Sequence, residues 1–386
     1  MMRNLALTLI LIIGFAQAVT FAPYINVGAQ DGFSITNFNS LSGATSFSLA
    51  FVTADTNGNP TWNGISATSG YFSSQAASIR SLGGDYRISF GGAAGTELAL
   101  VATSASSLAA TYLSVINAYS AVWADFDVEG TTITDRASVD LRNQAIKLIQ
   151  AQNPNLKVSY TIPSWPTGLD TNGAYLLQSA QTYGARIDVL NIMTMDFYQS
   201  AVDANGGTDM GTNIITAAEV IYGQYGSYFG SLGITPMIGI NDDTSEIFTL
   251  ANVAQVTAWI NTVSYVSLVA FWDTQLDLWG NADGQGAAPG AYAKAFVQGL
   301  SASSSGFAFQ SGNNGAVMWA SGCDWTGGDI ANVLSTSETC GSACVNYSGC
   351  THFSWTSYNS GTCWLKNNSV GSVVALVGAM CGYTTA

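Results

Sequence analysis

Histidine and cysteine are missing from most of this chain. The single histidine is His352, and all six cysteines lie between Cys323 and Cys381, so residues 1–322 contain neither. That absence excludes, for the larger part, every Ser-His-Asp or Cys-His nucleophile system and every imidazole or thiolate metal site. Cations are scarce as well. Ten Lys+Arg against 24 Asp+Glu leave a formal net charge of −14, with no basic run, a field that repels nucleic-acid phosphates and anionic bilayers. Beyond the first residues no segment is long and apolar enough to span a membrane. Carboxylates, hydroxyls, amides and aromatic faces remain to do chemistry, in a chain whose 48% hydrophobic and 9% charged content specifies a packed core.

The first residues read as an address label. Arg3 supplies a positive start, Leu5 to Phe15 form an apolar run, and Ala16-Gln17-Ala18 gives a small-x-small cleavage pattern. A signal peptide over residues 1–18 is expected, with an uncleaved N-terminal anchor as the alternative. The expectation is a secreted, extracellular protein in a compartment where disulfides persist.

From Val19 onward, short apolar runs alternate with helical patterns, the rhythm of parallel β/α units. Eight runs are expected as strands: Val19–Ile25, Ser46–Val52, Tyr86–Phe90, Ala121–Glu129, Lys157–Pro163, Ile187–Met193, Ile234–Ile240 and Val266–Trp272. Between the fourth and fifth, Leu141, Ala145, Leu148 and Ile149 fall at helical spacing, Asp135 can cap the start and Pro154 stops it, predicting a helix over Arg136–Gln152. Eight strands with such crossovers, over residues 19–300, predict an α/β fold of the closed (β/α)8 TIM-barrel type; an open doubly wound sheet is the rival. A Ser-, Gly- and Asn-rich stretch, residues 301–315, reads as a linker. Residues 316–386 show no alternating units and hold all six cysteines, as a small disulfide-rich C-terminal domain would.

The fourth run carries the chemistry. Side chains alternate across a strand, so Asp125, Asp127 and Glu129 share one face while Val122, Ala124, Phe126 and Val128 share the other. In a barrel the apolar set meets the helices. The three acids then point inward and climb toward the C-terminal mouth, where barrel enzymes place their sites. No Lys or Arg stands close by in sequence to neutralise them, so at least one pKa must rise, and a carboxyl that stays protonated is a general acid.

Asp125-x-Asp127-x-Glu129 resembles the signature of glycoside hydrolase family 18, the chitinases and endo-β-N-acetylglucosaminidases. The resemblance extends over roughly residues 20–300. Ser89-Phe90-Gly91-Gly92 is similar to the family's SxGG, Met193-Thr194-Met195-Asp196 to its Met-x-Tyr-Asp, and Thr235-Pro236-Met237-Ile238-Gly239 and Phe271-Trp272 also fit. Two positions depart from the family pattern. Val122 stands where a further Asp is usual, and Met195 where a Tyr orients the reacting acetamido group, with Tyr160, Tyr198 or a water as possible replacements.

The resemblance implies substrate-assisted, retaining hydrolysis. Glu129 is then the general acid, Asp127 the group that polarises the substrate's acetamido N–H, Asp125 the residue that orients Asp127 and shares its proton, and Asp196 a support on the opposite side. Trp272 resembles the floor beneath the reacting sugar. Met193, Tyr24 and Trp165 at predicted strand ends, and Asn241 and Asp242 after strand seven, are the remaining substrate-binding candidates; for the last four, packing or a plain turn is the competing reading. Trp123 shares the acids' face but lies deeper, as barrel core. No cofactor and no metal are called for.

In the tail, zinc is disfavoured because there is no CxxC pair and His352 stands alone. Six cysteines allow fifteen pairings. The arrangement Gly322-Cys323-Asp324, Gly327-Gly328-Asp329-Ile330, Cys340-x3-Cys344, Cys350, Phe353-x-Trp355 and Cys363-Trp364-Leu365-Lys366 resembles a PAN/Apple module. That resemblance implies the bridges Cys323–Cys381, Cys340–Cys363 and Cys344–Cys350, and a surface for polysaccharide or protein. Asn346 and Asn367 head glycosylation sequons.

The leading expectation is therefore a secreted chitinase acting on chitin or N-acetylglucosamine oligosaccharides, with neither nucleic acid nor membrane as a partner. A catalytically silent glycan-binding lectin and an endo-β-N-acetylglucosaminidase are the alternatives; the presence of Glu129 separates the first from the lectin.

Overall fold

The computed structural model describes residues 19–29, 33–198, 209–304 (except 283 and 285), 307 and 309–385 (except 368 and 372). The expected signal peptide lies outside the described residues.

The described residues between 19 and 304 fold as a (β/α)8 barrel. Its strands are Thr20–Phe21 with Tyr24–Asn26, then Phe47–Ala54, Tyr86–Gly91, Trp123–Asp127, Lys157–Pro163, Val189–Met193, Ser231–Thr235 and Val266–Val269. Each pairs in parallel with the next. Closure happens inside the first strand. Thr20–Phe21 pairs with the last strand and Tyr24–Asn26 with the second, so the chain changes neighbours across Ala22-Pro23, where proline has no N–H to give to either ladder.

The seventh strand begins and ends earlier than the sequence pattern suggests, at Ser231–Thr235 rather than Ile234–Ile240. Pro236 cannot donate to the ladder, and the chain beyond it turns at Gly239 into a short hairpin, Gly239–Ile240 with Ile247–Phe248. The eighth strand likewise stops at Val269, with Trp272 joined only through a single bridge to Met237.

Between strands and helices lies the main apolar layer. Ala124, Phe126 and Val128 are buried there, with Phe126 stacked on Phe90 at 5.5 Å and packed edge-on to Tyr112 at 4.9 Å. The helix over Arg136–Gln152 starts as expected, with Asp135 accepting from the Ser138 N–H at 2.8 Å. Its inward face is Val139, Ala145, Ile146 and Ile149, while Leu148 turns out toward solvent. The same face buries Arg142, paired with Glu97 at 2.8 Å.

The stretch 301–315 is not wholly irregular. The last barrel helix runs Ala291–Ser304, because Ser and Ala allow it to continue, and Gln310–Gly312 already pairs with the next strand. The C-terminal domain is an antiparallel sheet in the order Gln310–Gly312, Val317–Trp325, Val373–Thr384, His352–Thr356, Thr362–Lys366, Asp329–Leu334, with one α-helix among the described residues, Ser337–Val345. Disulfides join Cys323 to Cys381, Cys340 to Cys363 and Cys344 to Cys350. His352 sits in this sheet with its ring edge-on to Trp325 at 4.8 Å, and burial lowers its pKa to about 4.

Candidate functional site

The fourth strand presents its acids as a ladder. Asp125 is fully buried inside the cylinder, Asp127 is nearly so, and Glu129, just past the strand end, is half-buried at the C-terminal mouth. Close approach of the neighbouring strand fixes this end. At Gly91 a side chain would place its Cβ 2.0 Å from the Asp127 carbonyl oxygen, and the Gly92 N–H donates to that oxygen at 3.1 Å. Both glycines have positive φ, +105° and +87°.

Asp125 is saturated with donors. It accepts from Ser89 Oγ at 2.7 Å, Tyr24 OH at 3.1 Å, Thr161 Oγ1 at 3.0 Å, Arg87 Nη1 at 3.1 Å and the Ser159 hydroxyl. A nearby cation does therefore exist, although none stands close in sequence. Arg87 projects from the third strand, its guanidinium over the rings of Tyr24 and Trp123 at 5.0 and 5.6 Å. Lys157 Nζ lies over the other part of this floor, 3.7 Å from the centre of the Trp123 ring. Trp123 is barrel core, donating to Ser159 Oγ at 3.0 Å.

Above this neutralised level, the Asp127 carboxyl is hydrogen-bonded to that of Glu129. Burial, with the charges of Glu129 and Asp125 adding to it, pushes Asp127 well above the ordinary carboxyl range. Burial also raises Glu129; its bond to Asp127 opposes the rise and the charge of Asp196 adds to it.

Asp196 follows the sixth strand in a left-handed conformation, φ +48°, an uncommon state for a residue with a side chain. Three contacts hold it. Its N–H donates to Asn241 Oδ1 at 3.3 Å, its Oδ1 accepts from the Asp243 N–H at 2.8 Å, and the next N–H, of Phe197, donates to Glu246 Oε2 at 3.0 Å. Asn241 is thus buried and committed to the protein, its Nδ2 bonded to the carbonyls of Met237 and Gly239, and it positions Asp196 instead of facing a ligand. Glu246 went unnoticed in sequence because nothing marks a carboxylate 50 residues from the turn it braces.

Other candidates divide in the same way. Tyr24 is buried, with its ring 6.0 Å from Trp272 and its hydroxyl on Asp125, so it links the floor to the acids and does not face the mouth. Tyr160 is on the outward phase of its strand and donates to Asn143 Oδ1 at 2.7 Å among the helices, which removes it as a stand-in at Met195. Tyr198, beside Asp196, is exposed. Val122 is 55% exposed below the strand, out of reach of the ladder. Met193 ends strand six, its carbonyl accepting from Ser164 Oγ at 2.6 Å. Trp165 lies half-buried in a tight loop closed by paired bonds with Gly168.

Trp272 has one face stacked on Phe51 at 5.4 Å and lines an open cleft of about 430 Å³ with Asn26, Asp242 and Gln275. This cleft lies at the ends of strands one, seven and eight, across the mouth from the carboxylates. Among the described residues, no group of three His, Cys, Asp or Glu is arranged to hold a metal ion.

A closed barrel with an acid ladder rising to its C-terminal mouth and an aromatic-floored cleft beside it has the build of a barrel that does carboxylate chemistry at its strand ends. No protein-family model matches the chain. Among curated proteins it is similar to a probable bifunctional chitinase/lysozyme of Escherichia coli strain K12, 29% identical over an alignment of 279 residues that covers 67% of this chain and 31% of that one. It is also similar to endochitinase 11 of Metarhizium anisopliae, 29% identical over 223 residues, 53% of this chain and 42% of that one. The chain thus spans less than half the length of these curated relatives. Among solved structures, active domain 2 of a thermostable chitinase from Pyrococcus furiosus, a catalytic-site mutant complexed with chito-oligosaccharides, is 28% identical with a TM-score of 0.65. That likeness covers 76% of this chain and 97% of that one. The barrel is accordingly similar to chitinase catalytic domains in sequence and in fold.

Proposed function

We propose that the protein is a secreted chitinase that hydrolyses β-1,4-linked N-acetylglucosamine polymers by substrate-assisted, retaining catalysis. The observation that carries this reading is the Asp127–Glu129 carboxyl pair, held at the mouth above an Asp125 whose oxygens are already taken. Its similarity to chitinase catalytic domains supports the substrate class.

In the proposed reaction Glu129 gives its proton to the glycosidic oxygen as that oxygen leaves the anomeric carbon. The substrate's own acetamido carbonyl oxygen forms the new bond to that carbon, giving a cyclic oxazolinium ion, while Asp127 accepts a hydrogen bond from the acetamido N–H. Asp196 supports the acetamido group from the other side. Glu129, now a carboxylate, takes a proton from water as the water opens the ring, and the configuration is retained. Arg87 matters because it pairs with Asp125 and so limits the negative charge under the pair. For the C-terminal domain, the resemblance of its cysteine arrangement to a PAN/Apple module is the ground for reading it as a docking surface for polysaccharide or protein.

Digestion of N-acetylchitohexaose followed by proton NMR tests the reading. Cleavage with the β-anomer formed first is expected. Binding without cleavage would point to a lectin, and initial α-anomer would remove the proposed mechanism.

A further inference from the structure

We propose that Trp279 forms a further sugar-binding position beyond Trp272, so that productive substrate extends past the reacting unit on the side of strands one, seven and eight. The proposal rests on the chitinase reading and extends it to substrate length. Trp279 is 72% exposed, the largest aromatic surface left open on the barrel among the described residues. It lines the same cleft as Trp272.

Its position is braced. Trp279 ends a short helix, Thr274–Trp279, whose start is capped by Asp273, with the Leu276 N–H donating to it at 3.0 Å. Inside that helix Asp277 accepts from the N–H groups of Tyr292 and Ala293, both at 3.0 Å, which ties it to the following helix. A rigid platform binds without first paying to order itself.

The chemistry around it selects the ligand. A pyranose presents an apolar C–H face and a rim of equatorial hydroxyls and amides. Two indoles in one cleft meet the faces, and the polar edge comes from Asn26, Asp242 and Gln275 in the same lining. Asp242 and Asp273 in the lining, and the net charge of −14, disfavour an acidic polysaccharide and favour a neutral one.

Binding of N-acetylchitobiose, -triose and -pentaose to the full-length protein by calorimetry, beside hydrolysis of the same series, tests this. For wild type, affinity should rise with chain length. In Trp279→Ala the loss should grow with length, reaching about tenfold for the pentaose, and Trp279→Phe should recover most of it. Equal affinities of Trp279→Ala and wild type at every length would overturn the proposal, whether or not the sugars are cleaved. Absence of cleavage by wild type with length-dependent binding intact would instead overturn the chitinase reading and leave the sugar position standing.

Discussion

Arg87 and Asp125 form an ion pair with no exposed surface on either side chain, Nη1 to Oδ1 at 3.1 Å, directly beneath the Asp127 and Glu129 carboxyls. The pair comes from adjacent strands, three and four, whose side chains at Ser89 and Asp125 are in register. Such a pair costs desolvation on both ions and returns it only through good geometry, which Ser48, bonded to Arg87 Nε at 2.6 Å, and the hydroxyls around Asp125 supply.

Removing one partner should therefore be expensive. Arg87→Met should destabilise the fold by about 3–5 kcal/mol, because a charged Asp125 is left buried and unpaired. Arg87→Met with Asp125→Asn should regain part of the loss. Urea unfolding measures both, and a single variant within about 1 kcal/mol of wild type would contradict the account.

The pH dependence of hydrolysis follows from Glu129. The protonated form is the active one, so activity is lost as pH rises through the Glu129 pKa, which burial holds above the ordinary range. The negative charge of Asp196 adds to that rise. Asp196→Asn should lower the Glu129 pKa and move the alkaline limb of kcat/KM to lower pH, alongside any fall in its height. An unmoved limb, or a shift to higher pH, would show that Asp196 does not act on Glu129 through its charge.

The three disulfides should differ in weight. Cys323–Cys381 closes 58 residues and Cys344–Cys350 only 6, so loop-closure entropy assigns about 4 kcal/mol to the first and about 2 kcal/mol to the second. Paired Cys→Ser variants of the full chain, compared by protection of residues 316–385 from proteolysis, should rank in that order. Equal protection would mean that local packing, not chain entropy, sets the difference.

Much of this site was legible because strand alternation is a strict rule. Asp125, Asp127 and Glu129 could be placed on one face from their spacing alone, and the helix over Arg136–Gln152 could be bounded by Asp135 and Pro154. Arg87 was missed, though a signal existed: in Tyr86–Gly91 it shares a phase with Ser89 while Tyr86, Ile88 and Phe90 form the apolar phase, so a cation facing inward was readable once the strand was assigned. Loops are different. Nothing periodic says that Asn241 turns back to hold Asp196, that Glu246 braces the same turn, or that Trp279 stays in water, because those contacts depend on how chain ends meet across the barrel mouth. The seventh strand was misplaced because an apolar run continued through Pro236, where the ladder cannot.

The most direct measurement is hydrolysis and binding of N-acetylchitohexaose by Glu129→Gln. The amide keeps the shape and loses the transferable proton, so turnover should fall by about 10²–10⁴-fold while affinity stays within about twofold of wild type. Turnover comparable to wild type would contradict the assignment of Glu129 as the proton donor, and with it the proposed chemistry at this mouth.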